Sequence, residues 1–214
     1  MNYVAIIAHP DDEALGCGGT IAKAADAGHD VTVLLATRRC DPRGVSEWPK
    51  LIDGLSRSCT ILGATPLVLT DLLPETEAEP RVHALHDLIL PIIERADVVM
   101  THWIGDVNQV HRGVARAVEI ATRPFRRRRD VSLFEIPTST DQAFGGGGVA
   151  AFIPTEYVVL SADQARRKCD AVGAYPSEIV PGRSPQDVER RLRARGAEIG
   201  VEFAEALVVA RRFA

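Results

Sequence analysis

The chain has 214 residues, 46% hydrophobic and 25% charged, enough for one sizeable core spanning residues 1–214. A formal net charge of −4 and a pI near 5.9 give no electrostatic drive toward DNA, RNA or an anionic membrane surface. No apolar run approaches the roughly 18 residues of a membrane span. The opening "MNYVAIIA" lacks the basic segment and cleavage site of a secretory signal, so a cytoplasmic protein is expected. Cys17, Cys40, Cys59 and Cys169 form no CxxC pair and read as free thiols, with Cys17 a small buried one.

Strand-like and helix-like stretches alternate along the first half. Residues 3–8 read as a strand and 13–28 as a helix stopped by Gly28. Strands at 30–37, 66–70 and 97–103 alternate with helices at 49–64, 82–96 and 111–124, and Pro91 is expected to kink the third helix. Strand–helix units at this spacing predict a parallel sheet with helices on both faces and ligands bound beyond the carboxyl ends of the strands. Further on, 131–137 and 156–161 read as strands. A helix over 161–175 opens with the capping box Ser161–Gln164, and one over 184–203 has Ser184 as N-cap and Pro185 at the first helical position. The last stretch, 205–213, is a strand or an extension of that helix. "RRRR" (126–129) reads as a solvated turn rather than a nucleic-acid patch, and "GGGG" (145–148) as a mobile loop bordering the site.

The stretch "AIIAHPDDEALGCGGT" (5–20) sets His9, Asp11, Asp12 and Glu13 at the end of a buried strand. One acid there would serve as a helix cap, but three together repel unless something positive neutralises them. A dinucleotide site fits poorly: "GCGGTI" (16–21) lacks the third glycine of the fingerprint, and the acids would repel a pyrophosphate. A metal ion fits better, since imidazole and carboxylate at i and i+3 suit zinc, which in catalytic sites takes three protein ligands. The other histidines are His29, His83, His86, His102 and His111. His29 ends a helix far from this edge, and His83 and His86 have ordinary helix-surface spacing. His111 enters a helix after the strand at 97–103 and is the better third ligand, while His102 reads as a pocket-shaping residue.

"AHPDDE" with a following Gly-rich helix, and "THWIGDVNQVHR" about ninety residues later, resemble the LmbE/PIG-L family of zinc-dependent N-acetylglucosamine deacetylases. "STDQAFGGG", "KCDAVGAYPSE" and "GRSPQDVERRLRARGAEIGVEFAEAL" are similar to C-terminal segments of bacterial members. The resemblance implies an α/β, Rossmann-like three-layer fold with a mostly parallel sheet. It implies His9, Asp12 and His111 as zinc ligands, Asp11 as general base, and Glu13 supporting the same motif. Asp71 matches a family aspartate that contacts substrate hydroxyls, and Asp71, His102, Asp106 and Glu13 form the expected substrate-facing set. Asn108 stands where some members carry an oxyanion-stabilising histidine, so it would donate a hydrogen bond without a charge. Val110 replaces an aspartate common before the ligand histidine. Leu51 and Gly54 stand near places where the family often has Arg and Glu. Arg43, Arg57 and Arg112 are polar candidates around the mouth.

The implied reaction is hydrolysis of the N-acetyl group of an amino sugar, free, nucleotide-linked or glycosidic, by zinc-activated water. Another divalent ion, such as Fe2+, is also accepted by this donor set. The expected partner is a small N-acetylated amino sugar, with no nucleic acid and no membrane, and homo-oligomer formation is left open. Cleavage of a thiol–sugar conjugate or another N-acyl metabolite, and a metal-containing sugar-binding protein without turnover, stand as alternatives.

Overall fold

The first strand, β1 (Asn2–Ile7), is nearly all apolar, and its inner residues are fully buried. Such a run needs cover on both faces. A computed structural model, which describes residues 1–125, 127–144 and 151–213, supplies it with helices on both sides of a seven-stranded sheet. The remaining strands are β2 (Asp30–Arg38), β3 (Thr65–Pro74), β4 (Val98–His102), β5 (Asp130–Phe134), β6 (Glu156–Val159) and β7 (Ala204–Arg211). Their order is β3-β2-β1-β4-β5-β7-β6. The first five pair in parallel, whereas β7 runs antiparallel between β5 and β6. The expected α/β fold with a mostly parallel sheet is therefore present, and 205–213 resolves as a strand.

Successive side chains of β1 enter different cores. Ala5 and Ile7 pack with α1 (Gly18–Asp26), α2 (Pro42–Leu62) and α5 (Ala162–Val172). Val4 and Ile6 pack with α3 (Val82–Ile93) and α4 (Gln109–Ala121) on the opposite face. Burying each isoleucine side chain is worth about 1.5–3 kcal/mol. The chain winds from β1 to β2 on one side and reaches β4 on the other, so the strand order reverses between β1 and β4. The carboxyl ends of those two strands flank the crevice where open α/β sheets bind ligands.

Several elements differ from the sequence expectation. The helix expected from residue 49 begins at Pro42, with Asp41 as N-cap accepting from the Gly44 N–H at 2.8 Å, and it runs through Pro49. The helix expected over 13–28 is two pieces, a π-helical turn at Glu13–Cys17 and then α1. Helix α6 (Pro185–Glu198) stops before Gly200, whose φ of +76° suits glycine. Both expected helix starts hold: Ser161 with Gln164 and Ser184 with Asp187 form reciprocal capping boxes. The arginine run is not simply a solvated turn. Arg129 is buried and donates to the Ile93 and Glu94 carbonyls at 2.8 and 3.2 Å, tying the loop to the end of α3. The "GGGG" run lies outside the described residues. No described helix is long and apolar enough to cross a membrane, and the four cysteines are unpaired, with Cys17 and Cys59 buried.

A buried ion pair fastens the π-turn and α1 to the rest of the molecule. Glu205 of β7 accepts from the Gly19 and Thr20 N–H groups at 2.9 and 2.8 Å, satisfying donors at the start of α1. Lys168 of α5 donates to Glu205 at 2.5 Å and to the Leu15 carbonyl within the π-turn at 2.8 Å. Both side chains are nearly inaccessible, so removing one partner strands the other's charge. Lys168→Met should lower unfolding stability by about 3–5 kcal/mol in chemical denaturation. Adding Glu205→Gln should recover part of that loss.

Candidate metal centre

The turn after β1 is shaped by its own backbone. The Thr37 hydroxyl donates to the Ala8 carbonyl at 2.6 Å, and the His9 N–H donates to Asp12 Oδ2 at 2.7 Å. Asp11 takes φ +115°, a conformation costly for a residue with a side chain by about 1–3 kcal/mol. Asp12 stands at the N-cap position of the π-turn, yet its carboxylate caps nothing. It turns back toward the histidines instead.

His111, on the first turn of α4, arrives from the end of β4. Its Nε2 lies 3.3 Å from His9 Nδ1 and 3.5 Å from Asp12 Oδ1, and His9 Nδ1 is 3.6 Å from Asp12 Oδ2. Three atoms held at about 2.0–2.1 Å by one tetrahedral zinc ion stand about 3.3–3.4 Å apart. The two histidines approach different oxygens of Asp12, and one atom from each of the three residues forms a set lying within 4.8 Å of one another, so the donor set, two imidazoles and a carboxylate, suits a divalent ion. His9, Asp12 and His111 form the cluster among the described residues with ligand atoms close enough for one ion.

Each histidine is backed by a carboxylate. His9 Nε2 is 3.1 Å from Glu75 Oε2, and His111 Nδ1 is 3.3 Å from Asp106 Oδ1. Such partners fix the ring orientation and tautomer of metal-ligating histidines. Burial opposes charge on His9, but its hydrogen bonds to Asp12 and Glu75 prevail and push its pKa up to about 9. The His9 hydrogen bond holds Glu75 down at about 2. Burial works against ionisation of Asp106, but His111, Ser139 and Thr140 outweigh it and hold it at about 2. Burial likewise opposes the charge of Asp12, and the facing His111 and the hydrogen bond to His9 overcome it, leaving Asp12 strongly acidic.

Asp11 lies outside the donor set. Burial and the neighbouring Asp12 charge push its pKa well above the usual carboxylate range. Its one ion-pair partner among the described residues is Arg183, 3.7 Å away.

Three residues of the expected substrate-facing set are instead enclosed. Glu13 is fully buried and receives the Ser58 and Tyr175 hydroxyls at 2.5 and 2.6 Å and the Asp11 N–H at 3.3 Å, so it braces the turn. Gly54 belongs to this brace: a Cβ there would meet the Tyr175 ring at 2.7 Å. Leu51, at the other departure on α2, is a buried core residue. His102 is completely buried and stacks on the His111 ring with centroids 4.1 Å apart. Its Nε2 accepts from the Ala8 N–H at 3.0 Å, and burial lowers its pKa to about 3, so it is a neutral wall behind the centre. Asp106 has its oxygens taken by Ser139, Thr140, the Asn108 N–H and His111, which makes it an orienting group.

The remaining candidates divide. Asp71 is exposed on β3 and lines a surface groove with Arg38, Trp48 and Thr70, apart from the histidines. The acid after β3 that reaches the centre is Glu75, which sequence reasoning missed. Asn108 caps α4 by accepting from the Val110 N–H at 2.8 Å, and its NH2 group has no hydrogen-bond partner among the described residues. Val110 is buried in the core under α4. Arg43 pairs with Glu178, Arg57 with Asp53, and Arg112 with Glu79 while also holding the Asp106 and Val107 carbonyls. Arg183, also missed, is the cation that faces Asp11.

Comparison with known proteins places this arrangement. A search among curated proteins returns no match. Among solved structures, a deacetylase of the teicoplanin biosynthesis pathway superposes with a TM-score of 0.76 at 17% identity, covering 100% of both chains. The N,N'-diacetylchitobiose deacetylase of Pyrococcus horikoshii has a TM-score of 0.69 at 18% identity, over 97% of this chain and 83% of that one. The 4-carboxy-2-hydroxymuconate hydratase of Pseudomonas putida has 0.71 at 16%, over 100% and 97%. At these identities the likeness is one of fold. Residues 4–122, more than half of the chain and inclusive of every proposed metal donor, match the family described as GlcNAc-PI de-N-acetylase. The chain belongs to the PIG-L family.

Proposed function

We propose that this protein is a divalent-metal-dependent hydrolase that removes the N-acetyl group of an amino sugar or an amino-sugar-containing metabolite, releasing acetate. The observation that carries the reading is the division of labour between adjacent acids. Asp12 stands with His9 and His111, while Asp11, on a strained backbone, stays outside the donor set and keeps a raised affinity for protons. The family match and the two deacetylases of the same fold support an acetamide as the bond cleaved.

When bound, the ion, zinc or Fe2+, would polarise the amide carbonyl and strengthen water as a nucleophile near neutral pH. His9, Asp12 and His111 would hold it, with Glu75 and Asp106 fixing the two rings. Asp11 would take the proton of the attacking water and deliver it to the departing amine, work that suits a carboxylate of raised pKa. The unpartnered NH2 group of Asn108 supplies a hydrogen-bond donor for the developing oxyanion, without a positive charge. His102 and Phe134, packed ring edge to face with centroids 4.8 Å apart, close the space behind the histidines against water.

The central test is acetate release from a panel of N-acetyl amino sugars, with metal-free protein and after adding zinc, Fe2+ or another divalent ion. Metal-dependent acetate release is expected, and Asp11→Asn should retain the ion while losing about 10²- to 10⁴-fold in kcat. His9→Ala and His111→Ala should lose the ion in metal analysis, and retention of it by both variants would overturn the ligand assignment.

Metal affinity should also depend on pH. The proton on metal-free His9 is held up to about pH 9 and must leave before Nδ1 serves as a donor. Chelator competition should show affinity rising about tenfold per pH unit toward that value and levelling beyond it. Glu75→Gln, which removes the carboxylate behind His9, should weaken metal binding by about 10- to 100-fold in the same assay.

A further inference from the structure

Asp11 has the most unusual surroundings of the residues at the centre. Its side chain accepts no hydrogen bond among the described residues, and it is 5% exposed. The cation in ion-pair range of its carboxylate among the described residues, apart from the neighbouring His9 imidazole, is Arg183, with Nη1 at 3.7 Å from Oδ2. A buried base with freedom to turn loses the alignment on which proton transfer depends.

The segment carrying Arg183 is built to present it. Its Nε donates to the Pro137 carbonyl at 3.1 Å and to Thr138 Oγ1 at 2.7 Å. Thr138 takes φ +61°, unusual for a β-branched residue. Asp11 and Thr138 are the non-glycine residues with positive φ among those described, and Arg183 contacts both. The preceding Gly182 has φ +89°, and a Cβ there would collide with the Thr138 methyl group. Its N–H donates to Asp187 Oδ2 at 3.1 Å, and Asp187 belongs to the capping box that starts α6. Two strained residues and a required glycine thus converge on one guanidinium, and strain of this kind persists where the surroundings over-determine it.

We propose that Arg183 is a positioning residue for the reaction: its guanidinium holds one oxygen of Asp11 and leaves the other free to take the proton of the attacking water. The inference rests on the reading of Asp11 as the base. The anchoring of Nε to the 137–138 turn fixes the plane of the guanidinium, so it sets a direction for the carboxylate as well as a charge. Catalytic contacts are often longer in free enzymes than in their substrate complexes. The arginine comes from the loop before α6, far in sequence from the "HPDDE" turn, and the fold brings the two together.

In metal-loaded protein, Arg183→Ala should lower kcat by about 30- to 100-fold while KM and metal affinity stay within about threefold. Arg183→Lys should recover part of the loss. Millimolar guanidinium should restore activity to Arg183→Ala but not to the Arg183→Ala/Asp11→Asn double variant. An unchanged kcat, a loss confined to KM, or failure of guanidinium to rescue would overturn the assignment. A second readout needs no turnover: the fall in Tm caused by Arg183→Ala should shrink by about half in an Asp11→Asn background, because the two residues are coupled. Additive Tm losses would overturn the pairing. If the parent protein releases acetate from no substrate, the proposed deacetylase activity fails, while the stability cycle still decides whether Arg183 holds Asp11.

Discussion

Charge compensation governs this site. Asp11, Asp12, Glu13 and Asp106 are each at most 5% exposed, and Glu75 reaches the same space. Carboxylates cannot share so small and dry a volume unless cations, protons or hydrogen-bond donors answer each one. Each has its own answer: hydroxyls for Glu13, Arg183 for Asp11, the histidines for Asp12, Glu75 and Asp106. The strained φ of Asp11 follows from the same demand, because consecutive acids must face different partners and only a sharp turn sends them apart. The π-turn, the Tyr175 brace and the Lys168 anchor then hold that turn in shape.

Much of this is legible in the sequence because it is local. An apolar run ending in "HPDDE" states both the strand and the donors, and the second histidine announces itself at a helix entrance after another strand. The alternation of strands and helices carries the sheet as far as β5. What stays hidden depends on register and on distant segments. Four acids follow the stretch expected as the third strand, at 71, 75, 77 and 79, and pattern alone does not say which turns inward. The strand extends to Pro74, with a shift in its pairing to β2, and that places Glu75 at the centre. His102 and Asp106 do fall on the expected edge, but their burial is a property of packing: a ring stacked behind His111 and an acid closed in by Ser139 and Thr140. Arg183 sits in a loop with no chemical signature, and its role exists only once Thr138 and Asp11 are beside it.

The fold itself is a weak guide to chemistry. The same scaffold carries deacetylases and a hydratase, so the site must decide. The residues at 51, 54 and 110 show how departures from a family pattern can be absorbed by packing. Gly54 admits the tyrosine that braces Glu13, and Val110 fills the core under α4, leaving the orientation of His111 to Asp106.

Glu205 carries a consequence of another order. In doubly wound folds the start of the first helix is where a nucleotide phosphate usually rests. Here a carboxylate from the last strand already occupies those N–H groups. Being covalently part of the chain, it competes at an effective concentration that a free phosphate does not match. The protein is in this sense liganded by itself at the start of α1.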